Sequence, residues 1–187
     1  MIPIPGVLIA LLSFPGVIVH ETAHLLFCKL RRVAVFDVCF FRIPPANEWF
    51  SGTPIGYVMH EKPADFTSSF LISVGPFIIN TLLCLFFCFP AFFPVRLHNV
   101  FEPSAYFFLW LGISIGMHAF PSMGDAMVLW SEAKSAAARG NVLAILSFPL
   151  IGVILLANIG SIVWLDLLYG FAIGLGVPEL VLNSLSA

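Results

Sequence analysis

Two histidines four residues apart flank a glutamate in the run Val17-Ile18-Val19-His20-Glu21-Thr22-Ala23-His24-Leu25. On a helix, residues at that spacing share one face, so His20 and His24 can both reach a single metal ion. Glu21, beside them, could take a proton from a water that the metal has acidified. Neutral imidazole suits zinc, and a catalytic zinc takes three protein ligands and leaves one position open. The competing explanation is a pair of core histidines beside an acid. With 5 histidines in 187 residues, a chance His-Glu-x-x-His is expected only about 0.004 times per chain, which favours the metal.

The elements that must position these residues are apolar. The chain is 60% hydrophobic and 10% charged, with mean hydropathy +1.03. A soluble domain has about a quarter charged residues, so this composition implies an integral membrane protein embedded in a lipid bilayer. The expectation is an all-α polytopic fold, one domain over 1–187, with four to five transmembrane helices. The eight basic residues form no patch suited to nucleic acid. No positively charged start or small-residue cleavage site precedes the His-Glu motif, so no signal peptide is expected. Cys28, Cys39, Cys84 and Cys88 read as packing residues and not as a disulfide framework.

In chain order, Gly6 to Cys28 is the first apolar segment, with Pro15 as a kink or as the start of a second helical piece. Residues 33–61 hold two β-like runs, Val33 to Ile43 and Ile55 to His60, expected as an interfacial hairpin around an irregular loop. Phe66 to Phe89 is a second apolar segment, interrupted at Gly75-Pro76 and carrying Asn80. A turn region from Phe89 to Pro103 follows. Ser104 to Phe120 and Val142 to Trp164 are the next two segments, and 165–187 is a C-terminal helix, either a further crossing or a surface helix. If the loops 29–65 and 131–141 share one side, that side holds Lys29, Arg31, Arg32, Arg42, Lys62, Lys134 and Arg139, against Arg96 alone on the other. The positive-inside rule makes the first side cytoplasmic, the N-terminus outside, and the His-Glu motif close to the cytoplasmic face.

An ionisable group at membrane depth is costly unless paired or wet, so each is a functional candidate. Besides the first motif these are His118, Asp125 and Asp166, the last near a segment boundary. His118 and Asp125 share the stretch His118-Ala119-Phe120-Pro121-Ser122-Met123-Gly124-Asp125. A carboxylate there needs a counter-charge, which zinc on the two histidines would supply.

These residues resemble the site-2 protease family of intramembrane zinc metalloproteases. The family has a His-Glu-x-x-His helix, a Gly-Pro-x-x-Asn element and a later Asn-x-x-Pro-x-x-x-x-Asp-Gly motif. Here the first is complete at His20–His24, and Gly75-Pro76-Phe77-Ile78-Ile79-Asn80 resembles the second with one extra residue. His118 to Asp125 is similar to the third, with His for Asn, a spacing one residue shorter, and Gly before Asp instead of after it. The resemblance spans roughly residues 7 to 132. It implies a zinc endopeptidase that cleaves transmembrane segments of other proteins, with His20, His24 and Asp125 as ligands and Glu21 as base. Asn80 would then bond the developing oxyanion, although an asparagine that ties helices together fits equally well. The substrate would have to unwind, and an edge strand from 33–60 could hold it extended.

Two other functions compete. One is a membrane zincin that draws its third ligand, Glu179, from Glu179-Leu180-Val181-Leu182-Asn183. The other is a metal-ion carrier or a catalytically silent regulator with the same fold. Depth separates Asp125 from His118 as third ligand. At about 1.5 Å per residue, His24 and His20 lie about 7 and 13 Å below Lys29, Asp125 about 10 Å below Glu132, and His118 about 21 Å. His118 is then expected to act behind the ligands or on the substrate.

Overall fold

The structure, a computed structural model, describes residues 6–49, 53–98 and 102–186. Residues 1–5, 50–52, 99–101 and 187 lie outside them. The first segment is two helices, α1 (Gly6–Leu12) and α2 (Phe14–Leu30). They part at Ser13, and Pro15 stands in the first turn of α2, where a missing N–H costs nothing. The expected hairpin forms from β1 (Val35–Cys39) and β2 (Tyr57–His60), antiparallel with Val38 opposite Val58 and Cys39 opposite Tyr57.

α3 (Phe66–His98) is a rod of 33 residues, about 50 Å long. It corrects two expectations. The helix is not interrupted at Gly75-Pro76, and the Phe89–Pro103 turn is helix as far as His98, through Pro90 and Pro94. Proline breaks helices in water, but among apolar neighbours tertiary packing holds the backbone in register. Ala91 and Phe92 pack here with Ala105 and Leu109 of the next helix, and Arg96 pairs with Glu179.

The remaining chain runs along α3 as two broken paths. α4 (Pro103–Met117) packs on its carboxy-terminal half, and α5 (Met123–Ala138) packs beside Phe66 and Val74 on its amino-terminal half. After a turn at Gly140 (φ 80°), α6 (Val142–Gly160) returns along α5, capped by the Asn141 side chain on the Ala144 N–H. α7 (Leu165–Phe171), a π turn (Ala172–Gly176) and α8 (Val177–Leu185) then return along α4. Gly170 faces Ile113 and Met117, Gly174 faces Cys88, and Glu179 meets Arg96. The stretch 165–185 therefore continues the course of α6 and does not double back.

Among the described residues, three helices are long and apolar enough to cross a membrane: Phe66–Leu97, Val142–Gly160 and Leu165–Leu185. The expected count of four to five is not reached helix by helix. The breaks at Ser13 and at 118–122 leave α1, α2 and α4 too short.

Each break lies beside polar side chains that hydrogen-bond the neighbouring backbone carbonyls. Ser13 Oγ donates to the Ile9 carbonyl (2.7 Å), Asn80 Nδ2 to the carbonyls of Ile115 and His118 (3.1 and 3.0 Å), and Asn158 Nδ2 to that of Pro121 (3.0 Å). Close approach of α2 to α4 needs glycine. A Cβ on Gly16 would run into the Ser114 backbone and come 2.5 Å from His118 Cδ2. Gly16→Val should therefore destabilise the protein by at least ~1–3 kcal/mol, the usual range for overpacking. Thermal unfolding in detergent should show a lower midpoint. An unchanged midpoint would mean that α2 and α4 do not meet there.

Candidate metal centre

α2 carries the His-Glu motif toward a cavity of about 1330 Å³, walled by β2, by the 117–125 segment and by the joint between α6 and α7. His24 is buried, and His20 is partly so. His20 Nδ1 lies 2.7 Å from the carbonyl oxygen of His118, and His24 Nδ1 lies 2.9 Å from that of Ile72. A carbonyl can only accept, so each Nδ1 carries a hydrogen, and in the neutral ring each Nε2 presents its lone pair. The two Nε2 atoms face one another at 3.1 Å. Two lone pairs at that distance repel unless a proton or a metal ion lies between them. Ligands about 2.05 Å from a tetrahedral zinc are roughly 3.3 Å apart, close to what is found here.

Asp125 supplies the negative charge. It stands in the first turn of α5, where the helix dipole favours an anion. Ser122 closes a capping box on it: the Ser122 N–H and Oγ–H donate to Asp125 Oδ2 at 2.9 and 2.6 Å, and the Asp125 N–H donates to Ser122 Oγ at 3.1 Å. The same Oδ2 is 3.5 Å from His24 Nε2. One candidate ligand atom from each of His20, His24 and Asp125 lies within 4.8 Å of the others, the one such cluster of metal-binding side chains among the described residues. Two imidazoles and a carboxylate are a zinc donor set with room for a fourth ligand.

Glu21 is also buried, at 8% exposure, and faces the same cavity. The backbone entering β2 lies against it. A Cβ on Gly56 would come 2.7 Å from Glu21 Cγ and 3.1 Å from its Oε1. The hairpin thus covers the candidate base.

Three further candidates stand around or beyond this cluster. Asn80 is fully buried and does not line the cavity. Its Nδ2 is committed to carbonyls of α4 and, at 3.4 Å, to that of Gly16, so it ties helices together and offers no hydrogen to an oxyanion. His118 lies beside His20 and not about 21 Å deep along one straight helix, because the chain is not helical through 118–122. It caps α4, and its backbone carbonyl, left free at the helix end, holds His20. Its ring lines the cavity while Nε2 bonds Ser13 Oγ at 2.8 Å. That Oγ already donates to Ile9, so it accepts from His118. Glu179, the third ligand of the rival zincin reading, pairs with Arg96 (3.1 and 3.4 Å) and is not among the three clustered side chains.

Sequence reasoning passed over Ser13, Gly56, Asn158 and Ser122. Of these only Ser122 carried a signal, the Ser-x-x-Asp spacing of a capping box. Cys84 and Cys88 are unpaired and buried against Gly112 and Gly116, away from the cluster. Comparison of the chain with family models, with curated proteins and with solved structures finds no match in any of the three.

Proposed function

We propose that this protein is a zinc-dependent intramembrane endopeptidase, similar in chemistry to site-2 proteases. The observation that carries the reading is the convergence of the two Nε2 atoms, 3.1 Å apart, with a carboxylate oxygen 3.5 Å from one of them. His20, His24 and Asp125 would hold zinc, which when bound acidifies water and polarises a carbonyl. Glu21 accepts the proton of the attacking water and returns it to the leaving amine. Ser122 keeps Asp125 in place, and the His118 carbonyl keeps His20 in place. Residues Thr53 to His60 contribute a cavity wall along which an unwound membrane segment can lie extended. Glu21 and His24 are buried and His20 is half-buried, so the cavity they line is their contact with water.

In this reading the molecule crosses the membrane four times: by α1–α2, by α3, by α4–α5 and by α6–α8. Residues 31 and 134 share the cytoplasmic side, and residues 96 and 185 share the other. Single cysteines at these positions, in a background without the native four, should react with an impermeant thiol reagent as two same-side pairs. Labelling of 31 and 134 from opposite sides would break this topology.

Purified protein in liposomes, given a single-pass membrane substrate, should cleave it with zinc present and stop when a chelator removes the metal. Zinc flux into the same liposomes without cleavage would instead identify a carrier.

A further inference from the structure

We infer that Pro76 is a positioning residue for the metal centre, acting on His24 through the backbone carbonyl of Ile72. In an α-helix the carbonyl of residue 72 accepts from the N–H of residue 76. Residue 76 is proline, inside an otherwise continuous α3, and has no N–H. The Ile72 carbonyl therefore lacks its usual partner within its own helix. Ile72 and Pro76 are both buried, where an unpaired carbonyl is costly. The group that occupies it is His24 Nδ1, at 2.9 Å.

The preceding glycine makes this contact reachable. Gly75 lies against the ring of Phe27, which stands three residues after His24 on the same helix, and a Cβ there would meet that ring. Gly75 lets α2 and α3 approach, and Pro76 supplies the carbonyl that the approach brings to the histidine. His20 is held on the same principle, since the His118 carbonyl is spare because α4 ends there. Each metal-facing imidazole is thus fixed by a carbonyl that its own helix leaves unused, in one case through a helix end and in the other through a proline. With Nδ1–H engaged, His24 keeps its Nε2 lone pair toward His20 and Asp125.

The inference rests on reading His20, His24 and Asp125 as a metal site, not on peptidase activity. It is tested with full-length Glu21→Gln protein in nanodiscs carrying a second change, Pro76→Ala. Alanine restores the N–H, which competes for the Ile72 carbonyl, and it is the better helix former. A proline that merely shapes α3 predicts equal or higher thermal stability and unchanged zinc affinity. The positioning role predicts the same stability with zinc affinity about 10–100-fold weaker in chelator competition, the range for loss of an outer partner of a ligand. Pro90→Ala, in the same helix but away from the centre, should leave zinc affinity at the Glu21→Gln level. Nitrogen-15 spectra of the zinc-free protein give a reading that needs no metal. His24 should be the Nδ1–H tautomer when Pro76 is present and a mixture of tautomers in the Pro76→Ala variant. Equal zinc affinity with and without Pro76, or a His24 tautomer that ignores the substitution, overturns the assignment. Zinc bound with the expected Pro76 dependence by a protein that, with Glu21 restored, cleaves nothing would sustain it while removing the peptidase function.

Discussion

Replacing Glu21 with glutamine is expected to leave zinc content at the wild-type level and to slow peptide hydrolysis by about two to four orders of magnitude. Glu21 is not one of the three clustered side chains, so the metal keeps all its protein ligands. Glutamine has the same length and nearly the same volume, so the close approach of Gly56 and the burial of the side chain at position 21 need not change. What disappears is the ability to accept a proton. Two to four decades correspond to roughly 3–5 kcal/mol of barrier, the scale of a lost general base and beyond what a repacked side chain at a preserved site would cost. Zinc content by elemental analysis and hydrolysis of a membrane-embedded peptide, measured on the same preparation, decide the matter. A glutamine variant that hydrolyses at the wild-type rate would remove Glu21 from the mechanism.

Side-chain chemistry was the legible part of the centre. His20, Glu21 and His24 follow from helical spacing, and Asp125 from the cost of an isolated carboxylate among apolar residues. The hairpin was legible too, because β-branched and aromatic runs flank a Pro-Pro break. The partners that fix the histidines were not, since a backbone carbonyl has no letter in a sequence and becomes a specific acceptor only where its helix leaves it unpaired. Pro76 read as an interruption for the same reason that Pro90 and Pro94 read as a turn. The rule is drawn from helices in water, where nothing compensates the missing N–H. In α3, packing against α4 and the Arg96–Glu179 pair hold the helix, and His24 uses the carbonyl that Pro76 spares. The two broken paths were hidden as well. Hydropathy reports that a segment is apolar but not whether the next segment turns back, and only contacts such as Gly170 with Met117 show that α7 runs on from α6.

Removal of Asp125 should abolish tight zinc binding, whereas removal of the His118 ring should not. Residue type does not separate them, because imidazole and carboxylate both bind zinc well. Position does. The Asp125 carboxylate lies 3.5 Å from His24 Nε2, while His118 Nε2 is directed to Ser13, and what His118 gives to His20 is its backbone carbonyl. Alanine at 118 keeps that carbonyl. Asp125→Ala loses a ligand and also the carboxylate half of the capping box, which leaves the Ser122 N–H without its acceptor. A drop in zinc could then reflect a frayed α5. Asp125→Asn separates the two, since its amide oxygen still accepts from Ser122 while the anionic ligand is gone. Both Asp125 variants should therefore bind zinc at least ~100-fold more weakly than wild type, more than the loss of an outer partner produces. Only the alanine variant should also melt earlier. His118→Ala should stay within about tenfold of wild-type zinc affinity while its cleavage pattern changes, because its ring lines the cavity. Full zinc occupancy in both Asp125 variants, with loss of zinc in His118→Ala, would show that the third ligand is the histidine.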